Sequence, residues 1–176
     1  MYYKHKNKRA IQSQYMIADA LFSLLKRKTF AQITVTEICE EAAIGRKTFY
    51  RNFELREDVI EFQLDCMCRE YKAELEDLSL EECLFHHFSY MYENRDYFIL
   101  LYQNGFHLMA NEKFSVLIPD TMPIWTEDEL EQEYRSAYII AGIEAIQRVW
   151  ITRGCKEGIE EVVNFVVRAQ DRQIPL

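Results

Sequence analysis

The 176-residue chain is 49% hydrophobic with only five Gly and three Pro, which excludes a disordered or collagen-like chain and favours packed helices over sheet. Its net charge of −8 would argue against a nucleic-acid partner if it were evenly spread. It is not: residues 1–56 carry eleven basic and five acidic side chains, a balance of +6, which leaves −14 on the remainder. A basic head on an acidic body is the electrostatic footprint of a polyanion bound at one end, with the body repelling it.

In chain order, Ile11, Tyr15, Ala18, Phe22 and Leu25, with Ile17, Leu21 and Leu24 beside them, predict an amphipathic helix over 8–27. Lys26, Arg27 and Lys28 suit its C-terminal end. Thr34-Val-Thr-Glu37 reads as a capping box opening a short helix over 35–42, with Val35, Ile38, Cys39 and Ala42 facing inward. Ala43-Ile44-Gly45 breaks it, and a second short helix runs from Arg46 to Phe53. There Phe49 and Phe53, at i and i+4, anchor one side, leaving Arg46, Lys47, Thr48, Tyr50, Arg51 and Asn52 around the rest.

Further helices are predicted over 56–77, 80–93, 95–102, 105–117, 127–153 and 156–171. Ser79 to Glu82 and Thr126 to Glu129 read as capping boxes, Asn94 as a cap for the helix after it, and Gly154 as a left-handed helix stop. The last two helices carry Ile139, Ile143, Ile146 and Trp150, and Val162, Val163 and Val166, at helical spacing. Such a hairpin either pairs with a second copy as a four-helix bundle or faces only its own core.

The polar, basic start lacks an apolar h-region and no run of eighteen apolar residues occurs, which predicts a cytoplasmic protein without membrane contact. Five scattered cysteines without a CxxC pair point to reduced, buried thiols rather than a disulfide framework or a metal site. No nucleophile elbow, phosphate-binding Gly loop or HExxH motif is present, so neither catalytic residues nor a cofactor are expected.

The stretch from Thr34 to Asp58, TVTEICEEAAIGRKTFYRNFELRED, closely resembles the DNA-binding signature of the TetR (tetracycline-repressor-like) regulators, and Ala18, Leu21 and Phe22 match that family's first helix. Ala141 to Trp150, followed by Arg153-Gly154, resembles the dimerising end of one subgroup. Three positions depart: Gly45 stands for the usual cap Ser, Ala43 for the turn Gly, and Leu55 for the cap before the next helix.

The resemblance implies an all-α fold of about nine helices, with a three-helix helix-turn-helix head over 1–56 and an effector-binding, dimerising body over 57–176. It implies a homodimer on a palindromic operator in duplex DNA, acting as a repressor released by a small-molecule effector. The alternative is a co-regulator or activator that works through protein contacts. Arg46, Lys47, Thr48, Tyr50, Arg51 and Asn52 would meet DNA, with Thr36 and Arg56 at helix starts meeting phosphate. Arg46 and Lys47 are the base-reading candidates; Arg51 is also placed to pair with Glu54 or Glu57. Cys66, Tyr90, Tyr102, Phe106 and His107 are the effector-pocket candidates. Ile139, Ile143, Ile146, Trp150, Val162, Val163 and Val166 are the dimer-interface candidates.

Overall fold

A computed structural model describes residues 8–73, 78–115 and 128–171, which contain helices and turns and no strand. The elements are α1 (Lys8–Leu25), a 3₁₀ turn (Phe30–Gln32), α2 (Val35–Glu41), α3 (Arg46–Asn52), α4 (Glu57–Lys72), α5 (Leu80–Glu93), α6 (Arg95–Gln103), α7 (His107–Ser115), α8 (Glu129–Thr152) and α9 (Ile159–Asp171). Two compact units result, Met1–Arg69 and Glu70–Leu176, so the division falls within α4. Among the described residues no helix is long and apolar enough to cross a membrane.

The first unit closes on Ile17, Leu21, Ile33, Ile38, Phe49 and Phe53, each fully or almost fully buried. The buried face of α1 runs through Ala10, Gln14, Ile17, Leu21 and Leu24, a rotation from the predicted stripe that leaves Tyr15 exposed. An aromatic train continues the core, Phe49 to Phe53 at 6.0 Å, Phe53 to Phe62 at 5.6 Å and Phe62 to Tyr15 at 5.5 Å between ring centres. Its edge-on contacts fix ring orientation as well as bury area.

The predicted capping box opens α2: the Thr34 hydroxyl accepts from the Glu37 amide while the Glu37 carboxylate accepts from the Thr34 amide at 2.9 Å. The same carboxylate accepts from Lys28, and Glu41 accepts from Arg27 and Ser23, clamping α2 to the end of α1. Lys28 first, then the Thr34 amide, holds the Glu37 carboxyl down at about 2.

The turn into α3 is a Schellman motif, with Ile44 N–H donating to Cys39 O and Ala43 N–H to Glu40 O. Ala43 therefore sits at φ 50°, where a Cβ is strained. Ala43→Gly is expected to stabilise the protein by about 0.5–1 kcal/mol, because the lost strain outweighs the added freedom of the unfolded chain. A lowered denaturation midpoint for that variant would show that the turn carries no strain.

Where Leu55 offers no cap, Asp58 supplies one. Its Oδ2 accepts from the amides of Glu54 and Leu55, both at 2.8 Å.

In the second unit Ser79 and Glu82 form the predicted box. Asn94 does not cap α6; its amide instead donates back to Tyr90 O at 2.9 Å, closing α5. α8 is capped by Asp128, whose Oδ1 accepts from Leu130 and Glu131, and Thr126 of the predicted box lies outside the described residues. α7 starts later than predicted because Gly105, at φ 82°, closes α6 with a second Schellman turn. α9 starts at Ile159 because Gly154 and Cys155 are both left-handed, at φ 81° and 51°.

The predicted dimer stripe faces inward. Ile139, Ile143, Trp150, Val162, Val163 and Val166 are all buried within the second unit and Ile146 is half-buried. Trp150 packs edge-on to Phe88 at 5.5 Å and donates its indole N–H to Glu157 O. The face of α8 opposite that core is apolar too: Leu130, Tyr134, Tyr138 and Val149 are 59, 68, 67 and 55% exposed, and Ala141 and Ala145 lie between them. The predicted stripe covers only the first of these faces.

Candidate nucleic-acid interface

α3 is a seven-residue helix held from inside, with Phe49 fully buried and Phe53 1% exposed. Residues on the far side of a helix so anchored must project outward. Arg46, Lys47, Tyr50 and Arg51 are exposed and Thr48 is half-buried. Among the described residues no carboxylate pairs with Arg46, Lys47 or Arg51, and the expected bond from Arg51 to Glu54 or Glu57 is not formed. Lys28 and Arg27 by contrast are neutralised by Glu37 and Glu41. Three cations without a carboxylate partner among the described residues thus share α3. The Arg46 guanidinium lies 6.0 Å from the centre of the Tyr50 ring.

Asn52 does not share the outer face. It is 8% exposed, and its amide donates to Thr48 O at 2.8 Å while its Oδ1 has no partner. It lies three residues from Phe49, on the anchored side, so in this conformation it is a part of the packing. Thr36 is exposed on α2. Arg56 is drawn inward: its Nη1 donates to Phe30 O at 3.1 Å and to Ile33 O, and its guanidinium lies 4.7 Å over the Phe30 ring. It closes the carbonyls left by the 3₁₀ turn.

The second unit holds a smaller feature. Tyr71, His87, Gln147, Tyr102 and Asn111 form one hydrogen-bonded series: Tyr71 Oη to His87 Nδ1 at 3.3 Å, His87 Nε2 to Gln147 Oε1 at 2.7 Å, Gln147 Nε2 to Tyr102 Oη at 3.4 Å and Tyr102 Oη to Asn111 Oδ1 at 3.4 Å. Asn111 in turn bonds the Glu144 carboxylate. Beside it lies a cavity of about 10 Å³ whose polar wall is His87, Asn111, Ser115, Glu144 and Gln147. That volume suits about one water molecule. Burial drives the pKa of His87 down to about 4 and raises those of Tyr102 and Glu144.

The effector candidates are dispersed. Cys66 is buried in the first unit, with Arg69 donating to its sulfur at 3.1 Å. Tyr90 is buried against Tyr71 at 5.3 Å and Phe114 at 6.0 Å. Tyr102 and His107 meet at 5.7 Å, and Phe106 is half-buried in the turn between them. Only Tyr102 of the five belongs to the series along the cavity. Asn111, Glu144 and Gln147 were not anticipated, since no local spacing links residues as far apart as 87 and 147.

No family model and no curated protein matches the chain. Solved structures do. The chain superposes on one described as the dihydroxyacetone kinase operon activator DhaS with a TM-score of 0.70, at 24% identity over 93% of this chain and 97% of that one. It superposes on a TetR transcriptional regulator from Streptococcus agalactiae with a TM-score of 0.71, at 18% identity over 95% and 98%. This chain has the TetR-like fold. The transcriptional regulator FadR from Bacillus subtilis, solved in complex with stearoyl-CoA, shares it with a TM-score of 0.68, at 16% identity over 92% and 99%. Within the TetR-like fold, α1, α2 and α3 are the consecutive helices of the first unit, and α3 carries Arg46, Lys47 and Arg51 on its exposed surface.

Proposed function

We propose that the chain is a cytoplasmic, dimeric transcription regulator that inserts α3 into the major groove of duplex DNA and represses from a palindromic operator. One observation carries the reading: α3 is anchored by Phe49 and Phe53 and presents Arg46, Lys47 and Arg51 outward with no carboxylate pairing any of them. Unpaired cations on a helix surface neutralise phosphates and release counter-ions, and their forked donors read guanine edges. Lys47 and Arg46 read bases, Tyr50, Thr48, Arg51 and Thr36 position the backbone, and Arg56 and Asn52 hold the reading helix in place. Titrating the protein onto its own upstream DNA at increasing salt tests this. Specific binding with affinity falling steeply in log salt is expected, and salt-independent or absent binding would reject it.

Dimerisation is assigned to the outward face of α8. A surface helix ordinarily presents polar residues to water, whereas Tyr134, Tyr138, Ala141, Ala145 and Val149 form an apolar stripe with small residues at its middle. A symmetric pair presents the same helix to two half-sites. Val149→Glu places a charge opposite its own copy, so the dimer dissociation constant should rise at least a hundredfold, equivalent to about 3 kcal/mol, with helicity unchanged. Sedimentation velocity reads it, and an undisturbed dimer would move the interface elsewhere.

The second unit is read as an effector domain that modulates DNA affinity. The sign of regulation is open to a second reading, since one protein sharing the fold is described as an operon activator. A reporter fused to the upstream region distinguishes them, rising in a deletion strain for a repressor and falling for an activator.

A further inference from the structure

We infer that the cavity beside Gln147 takes the protonated amino group of a small ligand, with the Glu144 carboxylate as its counter-ion. The inference rests on reading the second unit as an effector domain, and it concerns which chemical class that domain accepts.

The direction of the hydrogen-bonded series follows from its middle. The Tyr102 hydroxyl meets Asn111 at its Oδ1, which leaves the Asn111 NH₂ group to face Glu144. Tyr102 then donates to Asn111 and accepts from the Gln147 NH₂ group, which leaves Gln147 Oε1 to accept from a protonated His87 Nε2. His87 Nδ1, bare in that tautomer, accepts from the Tyr71 hydroxyl. Every donor therefore points the same way, from Tyr71 towards Glu144. The imidazole is neutral and each side chain's bond is committed along the series.

What faces the cavity is the complement of this arrangement. Among the described residues the only formal charge on its wall is Glu144, and no Lys or Arg pairs with that carboxylate. Amide and hydroxyl oxygens of Gln147, Asn111 and Ser115 keep accepting capacity. An ammonium group is about the size of a water molecule, carries three or four donors and no acceptor, and so matches the volume of about 10 Å³ in size, charge and hydrogen-bonding sense. An anion meets the Glu144 charge on the wall itself, while the nearest cation, Arg148 one turn along α8, is not among the lining residues. A long acyl chain, as in the stearoyl-CoA complex of FadR, has no room.

The test uses the full chain and named probes: ammonium, methylammonium and ethanolamine, against sodium chloride, acetate and stearoyl-CoA at matched ionic strength. Thermal shift and calorimetric titration should give a saturable rise in Tm with at least one amine and none with the salts or acyl-CoA. Glu144→Gln, which keeps the shape and can still accept from Asn111, should weaken amine binding at least tenfold. Ala110→Leu, which fills the cavity from α7, should abolish it. The inference fails if no amine gives a saturable shift, if amine binding survives both substitutions, or if an anion binds and is displaced by Ala110→Leu. Operator affinity measured with the amine at saturation separates the two readings: unchanged affinity with intact amine binding upholds the site and rejects effector control, whereas anion-dependent release from DNA does the reverse.

Discussion

Replacing Arg46 and Lys47 together by alanine is expected to abolish operator binding while leaving the helical content and the dimer intact. Both side chains are exposed and neither meets a carboxylate, so their removal disturbs no contact that the fold requires. On DNA the position is different. A good bidentate base contact contributes about 1–3 kcal/mol, and a dimer loses four such side chains at once. Even the lower end, about 4 kcal/mol, is nearly a thousandfold in affinity. The slope of log affinity against log salt should also become shallower, by about 0.9 for each cation that had neutralised a phosphate. Gel shift at several salt concentrations, with circular dichroism and sedimentation alongside, reads all three. Undiminished binding by the double variant would take the reading surface away from α3.

Acid should destabilise the second unit between about pH 6.5 and 4, through His87. Burial holds its pKa at about 4 against 6.5 for the unfolded side chain, with Gln147 opposing the shift and His86 adding to it. Because the folded value is the lower one, the unfolded chain binds protons first, and stability that is complete above pH 6.5 is lost as the pH falls towards 4. A separation of about 2.5 units corresponds to about 3 kcal/mol at the end of that range. Denaturant midpoints measured across pH should fall accordingly, and His87→Gln should flatten that segment of the curve even if it lowers stability at neutral pH. The carboxylates of Glu37, Glu41 and Glu82, whose folded values are depressed, lose their contribution as the pH falls through the ordinary carboxylate range towards those depressed values. A wild-type curve that is flat from pH 6.5 to 4 would mean that His87 is not held neutral.

Local chemistry explains which parts of the fold could be read directly. The boxes at Thr34 and Ser79 are three-residue devices whose donors and acceptors are all in one turn, so residue type and spacing suffice. Asn52 was misplaced because its chemistry suggests a DNA contact, whereas its position, three residues after Phe49, already puts it on the anchored side of α3. Asn94 and Leu55 show the reverse: the cap predicted at one is turned backwards, and the one missing at the other is supplied by Asp58 from the next helix. The C-terminal helices were ambiguous for a physical reason, since helical spacing gives the same stripe whether it faces a second copy or the chain's own core, and the opposite apolar face of α8 went unread. The cavity lay beyond sequence reasoning altogether, because its wall joins side chains from α5, α6, α7 and α8 that share no local pattern.

The two apolar faces of α8 also bear on how this chain can vary and how much of it must be present. Most surface helices have a broad side on which substitutions drift freely, and α8 keeps only narrow charged flanks, at Glu133, Arg135 and Arg148: one face is packed inside its own unit and the other, on the dimer reading, is packed against its copy. A lone subunit would expose Tyr134, Tyr138 and Val149 to water and to each other's misplaced contacts. The dose of protein in the cell, and not only the presence of a ligand, then sets how many paired reading helices reach DNA.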